Sequence, residues 1–336
     1  MLAVLTKYSQ KRITTALVGL YSKILFMKTV KIFAPASVGN SACGFDVIGF
    51  AIDAPGDELI VSLTDRHKEI KIIDIQGDDG KLSWDSGKNT ASVAIQAYLQ
   101  HLGIEQGVEI RLHKKMPLGS GLGSSAASAV AGAVAINELM DKPLKRKDLL
   151  PFAMEGERIA CGAAHADNVA PSLIGGFVLV RSYNPLDVVP IKTPQNLVAI
   201  VVHPHIEVST KTAREILPKE ISLSTAITQW GNVGGLVAGL CMADMGLIGR
   251  SLQDVVAEPV RAKLIPHFDV IKQTMLGAGA LGSSISGSGP SVFALASNTD
   301  VAEKIRVAVA ELLTKVGMPH DIYVSPINLQ GAKVIG

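Results

Sequence analysis

The sequence has few aromatic residues and few cysteines. Phe, Tyr and Trp make up 4% of the 336 residues, whereas a protein that binds single-stranded nucleic acid by base stacking needs aromatic side chains among its basic ones. The three cysteines, Cys43, Cys161 and Cys241, are far apart and form no CxxC pair. They predict neither a disulfide framework nor a zinc site and favour a reducing compartment, so the expected location is the cytoplasm.

Long hydrophobic runs and a strong excess of charge are also missing. No segment reaches the ~20 apolar residues of a transmembrane helix, so no membrane partner is expected. The 32 basic and 30 acidic residues give a net charge of +2, and residues 1–27 contain four basic residues and no acidic one. The remaining chain is therefore slightly acidic and offers no basic face for nucleic acid.

The first 26 residues are expected to lie outside the fold. They contain scattered Ser and Thr and loosely resemble an organelle transit peptide. Two other interpretations remain open: translation could start at Met27, or the segment could be a tail without function. The hydrophobic content of 48% predicts a well-packed protein for the rest of the chain.

Periodicity predicts alternating strands and helices after this segment. Strands are expected at 28–37, at 108–117 and at 291–296. Helices are expected at 91–103, where Gly103 is the stop signal, and at 262–275. The apolar stretch 233–247, together with Trp230, predicts a core helix.

A glycine- and serine-rich segment at 117–140 is the most informative part of the sequence. It places three alternate glycines and two serines before an alanine-rich helix. Such a loop exposes backbone N–H groups at the positive end of a helix and therefore suits a phosphate, and the serines could cap the helix, bind phosphate or coordinate Mg2+. It lacks the Gly-Lys-Ser/Thr ending of a Walker A loop. A flexible turn with an N-cap is the alternative.

A second glycine- and serine-rich loop occurs at 279–296. Its beginning, GAGALG at 277–282, formally matches a dinucleotide-binding fingerprint, but it follows a predicted helix rather than a strand. We therefore do not expect a dinucleotide site there. The loop could shape a pocket around phosphates or serve as a plain turn.

Three segments, in this order, resemble the motifs of the GHMP kinases. They are APASVGNSACGFDVIGFAI at 34–52, PLGSGLGSSAA at 117–127 and SISGSGPSVFAL at 284–295. The resemblance implies an α+β fold of two domains. Residues 28–190 would form an ATP-binding, ribosomal-S5-like domain with a left-handed βαβ unit, an exception to the usual right-handed rule, and residues 191–336 a ferredoxin-like α/β domain.

Four further segments, at 40–46, 155–176, 203–218 and 258–266, resemble the homoserine kinases within this family. They imply ATP-dependent phosphorylation of the L-homoserine hydroxyl to O-phospho-L-homoserine in threonine biosynthesis, and a homodimer. The first segment reads NSACGFD where these enzymes usually have a sequence closer to NLGPGFD. The alternatives are a shikimate- or mevalonate-type kinase of the same family and a non-catalytic sensor.

The resemblance also implies roles for individual residues. ATP would bind over Pro117, Leu118, Gly119, Ser120, Gly121, Leu122, Gly123, Ser124, Ser125, Ala126 and Ala127. Mg2+ would bind Ser125 and Glu157, with Glu155 as the competing carboxylate. A hydroxyl and a carboxylate are ligands that suit this cation.

The substrate would be held by both of its charged groups. Asp46 would bind the ammonium and Arg214 and Arg261 the carboxylate, while Asn40 and His165 complete the substrate site and Asn168, Thr210 and Arg214 act at the reacting groups. Asn168 cannot serve as a base, so the hydroxyl proton would pass to the γ-phosphate or to water. Asp167 is the alternative base, and we expect its side chain to be turned away.

His203 and His205 have the spacing of a metal site. The sequence supplies no third ligand for them, and Pro204 stands between. A junction between a strand and a loop is the favoured interpretation.

Overall fold

The computed structural model describes residues 28–162 and 165–336. The predicted N-terminal extension, residues 1–26, lies outside the described residues. Within them no helix is both long and apolar enough to cross a membrane.

A seven-stranded sheet forms the first half of the fold. Its members are β1 (Thr29–Val38), β2 (Ile48–Thr64), β3 (Ile70–Gln76), β4 (Gly107–His113), β5 (Phe177–Tyr183), β6 (Leu186–Ile191) and β11 (Lys333–Val334). The order is β11-β1-β2-β4-β3, and β5 pairs with the start of β2 and with β6. β3 and β4 are parallel, and all other pairs in this sheet are antiparallel.

Four helices cover this sheet: α1 (Thr90–Leu102), α2 (Ser124–Leu139), α3 (Leu150–Cys161) and α4 (Ala166–Ile174). A 3₁₀ turn, Arg146–Leu149, precedes α3. Asn89 caps α1 by accepting a hydrogen bond from Ala91 N–H, and Gly103 ends it at φ 65°. α2 is almost entirely buried and has a glycine where α1 crosses it, since a Cβ on Gly132 would lie 2.4 Å from the Ala91 carbonyl oxygen.

The second half is built on a four-stranded antiparallel sheet of order β10-β7-β9-β8. The strands are β7 (Val198–Pro204), β8 (Gly282–Ile285), β9 (Val292–Ala296) and β10 (His320–Pro326). The helices are α5 (Thr210–Glu215), α6 (Leu223–Met242), α7 (Met245–Ser251), α8 (Glu258–Arg261), α9 (Phe268–Gly277) and α10 (Thr299–Lys315), with a 3₁₀ turn at Ala262–Leu264.

The two sheets share one hydrophobic core. Phe50 of β2 stacks on Phe177 at 4.5 Å between ring centres and meets the edge of Phe293 of β9 at 5.5 Å. All three rings are fully buried. A second, smaller cluster, which includes Ile271 and Val309, fills the space between the four-stranded sheet, α9 and α10.

The α+β class is confirmed, and most predicted elements are present. The first strand is one residue offset from the prediction, and the strand expected to reach Pro117 ends at His113. The helix expected from residue 262 begins at Phe268, after the 3₁₀ turn. As predicted, the GAGALG segment follows a helix rather than a strand.

Two details differ from the sequence prediction. The helix around Trp230 exists, but Trp230 is 63% exposed, so α6 presents one apolar face to solvent instead of lying wholly in the core. The end of the chain leaves the second sheet, because Ile327 bridges to Ile52 and β11 pairs with β1. By strand pairing, residues 327–336 therefore join the first half rather than the predicted C-terminal domain.

Candidate active site

A cleft of about 1310 Å³ runs between the two halves and collects the predicted site residues. The residues that line it include Asn40, Asp46, Pro117, Leu118, Gly119, Ser120, Gly121, Gly123, Ser124, Ser125, Glu157, His165, Asn168, Thr210, Arg214 and Arg261. Leu122, Ala126 and Ala127, also expected to bind ATP, are fully buried behind the loop.

The loop between β4 and α2, residues 117–123, which we call the phosphate loop, has the form expected of an anion site. Gly119, Gly121 and Gly123 all have positive φ, between 68° and 79°, a region that L side chains rarely adopt. Gly123 is the N-cap of α2 and provides no side-chain cap. The N–H groups of the first helical turn are therefore not capped by that residue and are available to an anion.

A buried ion pair fastens both ends of this loop. Asp57 of β2 accepts backbone hydrogen bonds from Lys115 and Met116 before the loop, and from the Ser124 hydroxyl after it. Lys114 pairs with Asp57 and donates to the Ser124 carbonyl and the Ser128 hydroxyl, both at 2.9 Å. Burial lowers the pKa of Lys114, and the Asp57 carboxylate opposes that effect. The Ser124 hydroxyl is thus engaged beneath the loop, and Ser125, the next residue, also lines the cleft.

The second glycine- and serine-rich loop packs directly on the first one. The Ser286 hydroxyl donates to the Gly121 carbonyl at 2.7 Å, and Ser291 N–H donates to the Ser120 carbonyl at 3.3 Å. A Cβ on Gly121 would lie 2.4 Å from the Ser286 carbonyl oxygen, so only glycine permits this approach. Of the two interpretations of this loop, the structure supports the one that shapes the cleft.

Residues 40–46, which we call the substrate loop, are held in an unusual backbone conformation. Asn40, Ala42 and Asp46 all have φ between 50° and 58°. The Asn40 side chain accepts from Asp46 N–H at 2.8 Å and donates to the Gly287 carbonyl at 2.9 Å. The Tyr183 hydroxyl donates to the Asp46 carbonyl at 2.9 Å. Since both ends of its amide are engaged, Asn40 acts on the shape of the loop.

Charged groups converge on Asp46. Arg214 binds this carboxylate through both terminal nitrogens at 2.9–3.1 Å, and His165 Nδ1 lies 3.6 Å from it. Burial lowers the pKa of His165, although the Asp46 charge acts in the other direction. The structure therefore brings together the residues expected to hold an ammonium and a carboxylate.

Arg261 is a buried cation, 4% exposed, at the same end of the cleft. It donates to the carbonyls of Ala213 at 2.9 Å and Gly287 at 3.2 Å. Burial, with a contribution from the Arg214 charge, lowers its pKa to about 10. Its guanidinium carbon lies 4.8 Å from the centre of the Phe45 ring, and that of Arg214 lies 5.6 Å from it.

Asn168 on α4 lies where the substrate loop meets the phosphate loop. It accepts a hydrogen bond from the Ser37 hydroxyl at 3.0 Å, and its amide oxygen is 3.1 Å from the position of a Cβ on Gly123. Thr210, the first residue of α5, faces the cleft and bonds to the Ser288 hydroxyl at 3.2 Å.

Asp167 does not turn away as we expected. The segment is helical, so consecutive side chains differ by about 100° rather than by the half turn of a strand. The buried Asp167 carboxylate accepts from Asn40 N–H at 3.0 Å and lies within 4.8 Å of ligand atoms of Asp46 and His165. Burial, helped by the Asp46 charge, raises its pKa to about 7.

The two candidate carboxylates for Mg2+ lie in different environments. Glu157 is buried, 5% exposed, and lines the cleft together with Ser125. Glu155 is on the outer side of α3, where it pairs with Arg158. The geometry thus separates two residues that the sequence left in competition.

The histidines with metal-like spacing have separate partners. His203 Nδ1 lies 3.3 Å from the Ser291 hydroxyl, and His205 pairs with Asp321 at 2.9 Å. The rings are tilted and 5.8 Å apart. The two imidazoles therefore have different partners, and only that of His205, Asp321, lines the cleft.

Four residues of the site were missed by the sequence analysis: Phe45, Asp57, Lys114 and Tyr183. A carboxylate at an inward position of an apolar strand, as at Asp57, was a usable signal, because such a group requires a buried partner. Phe45 and Tyr183 carried no comparable signal, since a lone aromatic residue is ordinarily part of a core.

Comparisons with known proteins identify families and sequences that are similar to this chain. The family model for the GHMP kinases N terminal domain matches residues 89–176, and that for the GHMP kinases C terminal matches residues 236–315. The homoserine kinase of Chlorobaculum tepidum is 52% identical over 320 residues, 92% of this chain and 99% of that protein. That of Chloroherpeton thalassium is 53% identical over 319 residues, 92% of this chain and the whole of that protein.

A solved structure with a similar fold is also a homoserine kinase. The crystal structure of homoserine kinase from Cytophaga hutchinsonii superposes with a TM-score of 0.89 at 61% sequence identity. The superposition covers 91% of this chain and 97% of the other.

The raised pKa of Asp167 predicts a pH-dependent stability. Between its ordinary value of 3.8 and about 7 the native state holds a proton that the unfolded chain releases, so stability falls as pH rises through this window. Asp167→Asn keeps an acceptor for Asn40 and cannot ionise. We expect it to stabilise the protein relative to wild type at pH 8, by at most about 4 kcal/mol, and to have little effect at pH 4.

Urea unfolding at the two pH values measures this difference. Asp65→Asn, at an exposed position, serves as the control and is expected to change stability equally at both. A pH-independent effect of Asp167→Asn would contradict the assignment.

Proposed function

The chain belongs to the homoserine kinase family within the GHMP kinases, and from this we propose that it transfers the γ-phosphate of ATP to the side-chain hydroxyl of L-homoserine. The observation that carries the proposal is the group of charges at one end of the phosphate loop. One carboxylate, Asp46, lies with two guanidinium groups, Arg214 and Arg261, and this set matches the ammonium and carboxylate of a zwitterionic amino acid.

Both charged groups of the substrate find partners there. We assign the ammonium to Asp46 and the carboxylate to Arg214 and Arg261. In the structure Asp46 and Arg214 form an ion pair with each other. When the zwitterion binds, this pair is replaced by two, Asp46 with the ammonium and Arg214 with the carboxylate. Neither protein charge is then left uncompensated. His165 lines the same end of the cleft.

ATP fits along the remainder of the cleft. Its phosphates lie over residues 117–125, against the positive end of α2. The cleft also extends to Leu82, Lys88 and Asn89, just before α1. We place the nucleoside in this extension, so that the γ-phosphate is the end that meets the substrate.

The transfer joins the homoserine oxygen to the γ-phosphorus while the bond from that phosphorus to the β,γ-bridging oxygen breaks and ADP leaves. Asn168 orients the hydroxyl, because its amide lies between the substrate loop and Gly123. It cannot take the proton, which passes to a γ-phosphate oxygen or to water. Thr210 lies across the cleft, where it can bond to the transferred group, and Arg214 adds positive charge.

Asp167 has a positioning role in this scheme. Its carboxylate accepts the Asn40 N–H and lies beside Asp46, at the ammonium end of the site. It therefore supports the substrate loop, and we assign it no proton transfer.

The residues on the cleft wall fit a magnesium ion. The Ser125 hydroxyl and the buried Glu157 carboxylate are hard oxygen donors beside the phosphate loop, and they are the groups that would hold the cation. When bound, Mg2+ offsets the negative charge of the phosphates.

We further propose a homodimer through the outer face of α6. This helix contains no charged residue, and Leu223, Ile227 and Trp230 are 68%, 56% and 63% exposed at the spacing of one helical face. An uncharged face can meet its own copy without repulsion between like charges.

The cytoplasmic location expected from the cysteines remains a prediction.

The alternatives fit the site less well. A shikimate- or mevalonate-type substrate has no ammonium and leaves Asp46 without a role in binding. A sensor without activity has no need of Glu157 and Ser125, both of which lie in the cleft.

The substrate is tested by ADP release from the purified protein with ATP and Mg2+. We expect clear preference for L-homoserine over L-serine, L-threonine, shikimate, mevalonate and galactose, with O-phosphohomoserine identified by mass. A folded protein that binds ATP and turns over none of these compounds would contradict the proposal and favour a sensor.

The metal assignment is tested with a matched pair of variants. Glu157→Gln should raise the Mg2+ concentration for half-maximal rate by more than about tenfold, because it removes a charged ligand. Glu155→Gln, two residues away on the outer surface, should stay within about twofold of wild type. Equal effects of the two changes would refute the role of Glu157.

The dimer is tested by light scattering. We expect a mass near twice the 35.3 kDa of one chain for wild type and a monomer for Trp230→Lys. Trp84→Lys, at another exposed tryptophan, should remain dimeric. A monomeric wild-type protein would rule out the proposed interface.

A further inference from the structure

Two guanidinium groups lie against one aromatic ring at the substrate end of the cleft. Phe45, in the substrate loop, has the guanidinium carbon of Arg261 at 4.8 Å and that of Arg214 at 5.6 Å from its ring centre. Both distances are within the ~6 Å range of cation–π attraction. Phe45 is therefore a shared neighbour of the two cations that we assign to the substrate carboxylate.

The charges of the two arginines are compensated in different ways. Arg214 is 43% exposed and has the Asp46 carboxylate as its partner. Arg261 is 4% exposed and pairs with no carboxylate among residues 28–162 and 165–336, so it relies on the carbonyls of Ala213 and Gly287 and on the ring. A buried cation without these contacts would be strongly disfavoured.

An aromatic partner has a property that a carboxylate partner lacks. The ring attracts a cation through its face, whereas a carboxylate binds the N–H groups along the edge of the guanidinium. A guanidinium held by an aromatic residue can therefore still receive an incoming carboxylate. A protein carboxylate in the same position would compete with the substrate for these donors.

The neighbours of Phe45 in the chain constrain the backbone that carries the ring. Asp46, the next residue, is held by Asn40 at its N–H and by the Tyr183 hydroxyl at its carbonyl. The preceding Gly44 packs tightly, because an added Cβ would lie 2.4 Å from the Ile48 Cβ. The substrate loop thus presents an acid and an aromatic ring at consecutive positions.

We propose that Phe45 is a positioning residue that sets the requirement for a carboxylate on the substrate, by holding Arg214 and Arg261 side by side without occupying their N–H donors. The assignment rests on the proposed homoserine kinase activity and names the residue that makes the carboxylate site selective. It assigns Phe45 no direct contact with substrate.

The test compares Phe45→Leu and Phe45→Met, which remove the ring, with Phe45→Tyr, which keeps it. Phe33→Leu is the matched control, because the Phe33 ring also has a cation nearby, with Lys333 Nζ at 5.8 Å, but lies on β1. For each protein we would measure the KM values of L-homoserine and ATP, and kcat/KM for 3-amino-1-propanol, which has the ammonium and the hydroxyl without the carboxylate.

We expect Phe45→Leu and Phe45→Met to raise the KM of L-homoserine about tenfold and to reduce the preference for L-homoserine over 3-amino-1-propanol by a similar factor. The KM of ATP should stay within about twofold. Phe45→Tyr and Phe33→Leu should resemble wild type.

Other outcomes would overturn the assignment. An unchanged KM of L-homoserine in folded Phe45→Leu or Phe45→Met would refute it. An equal loss for both substrates, or a parallel rise in the KM of ATP, would show a merely structural effect of the ring. Wild-type protein that does not phosphorylate L-homoserine would instead refute the proposed function, and this assignment with it.

Discussion

The site depends on the close approach of two backbones, one from each half of the molecule. At Gly121 the phosphate loop touches the loop that contains Ser286 and Gly289, with no room for a side chain between them. The same second loop also bonds to Gly39, Asn40 and Arg261 through Gly287. Loss of this contact would separate the phosphate loop from the residues that we assign to substrate binding.

Several buried charged groups surround this contact. Two groups of opposite sign, Asp167 and Arg261, are removed from water near one another, and burial disfavours the charged form of each. The Asp57–Lys114 pair is buried as well, but its two charges compensate each other and support the loop from below. The fully compensated pair, Asp57 and Lys114, supports the fold. Asp167 and Arg261, which are not paired in this way, lie where a ligand with two charges would enter.

Much of this arrangement could be predicted from the sequence because local physics determines it. The glycines of the phosphate loop, the stop at Gly103 and the strand at 291–296 each follow from backbone conformation or periodicity. Contacts between distant segments could not be predicted in this way. The Phe45 ring between two arginines, the exposed side of Trp230 and the pairing of β11 with β1 depend on the three-dimensional packing of parts far apart in the chain. The predicted orientation of Asp167 was wrong for a simpler reason. The prediction assumed the alternating side chains of a strand, whereas the segment is a helix.

The shared core between the sheets has a consequence for how the molecule can move. Phe50 and Phe293 meet inside one continuous apolar cluster, so a rotation of one half against the other would expose fully buried rings to water. This core therefore disfavours a rotation that would close the cleft, and we expect the gap between the two halves to keep its width. The dimensions of that gap therefore limit the size of a substrate. Side chains and short loops at its rim are the parts that can adjust when the substrate binds.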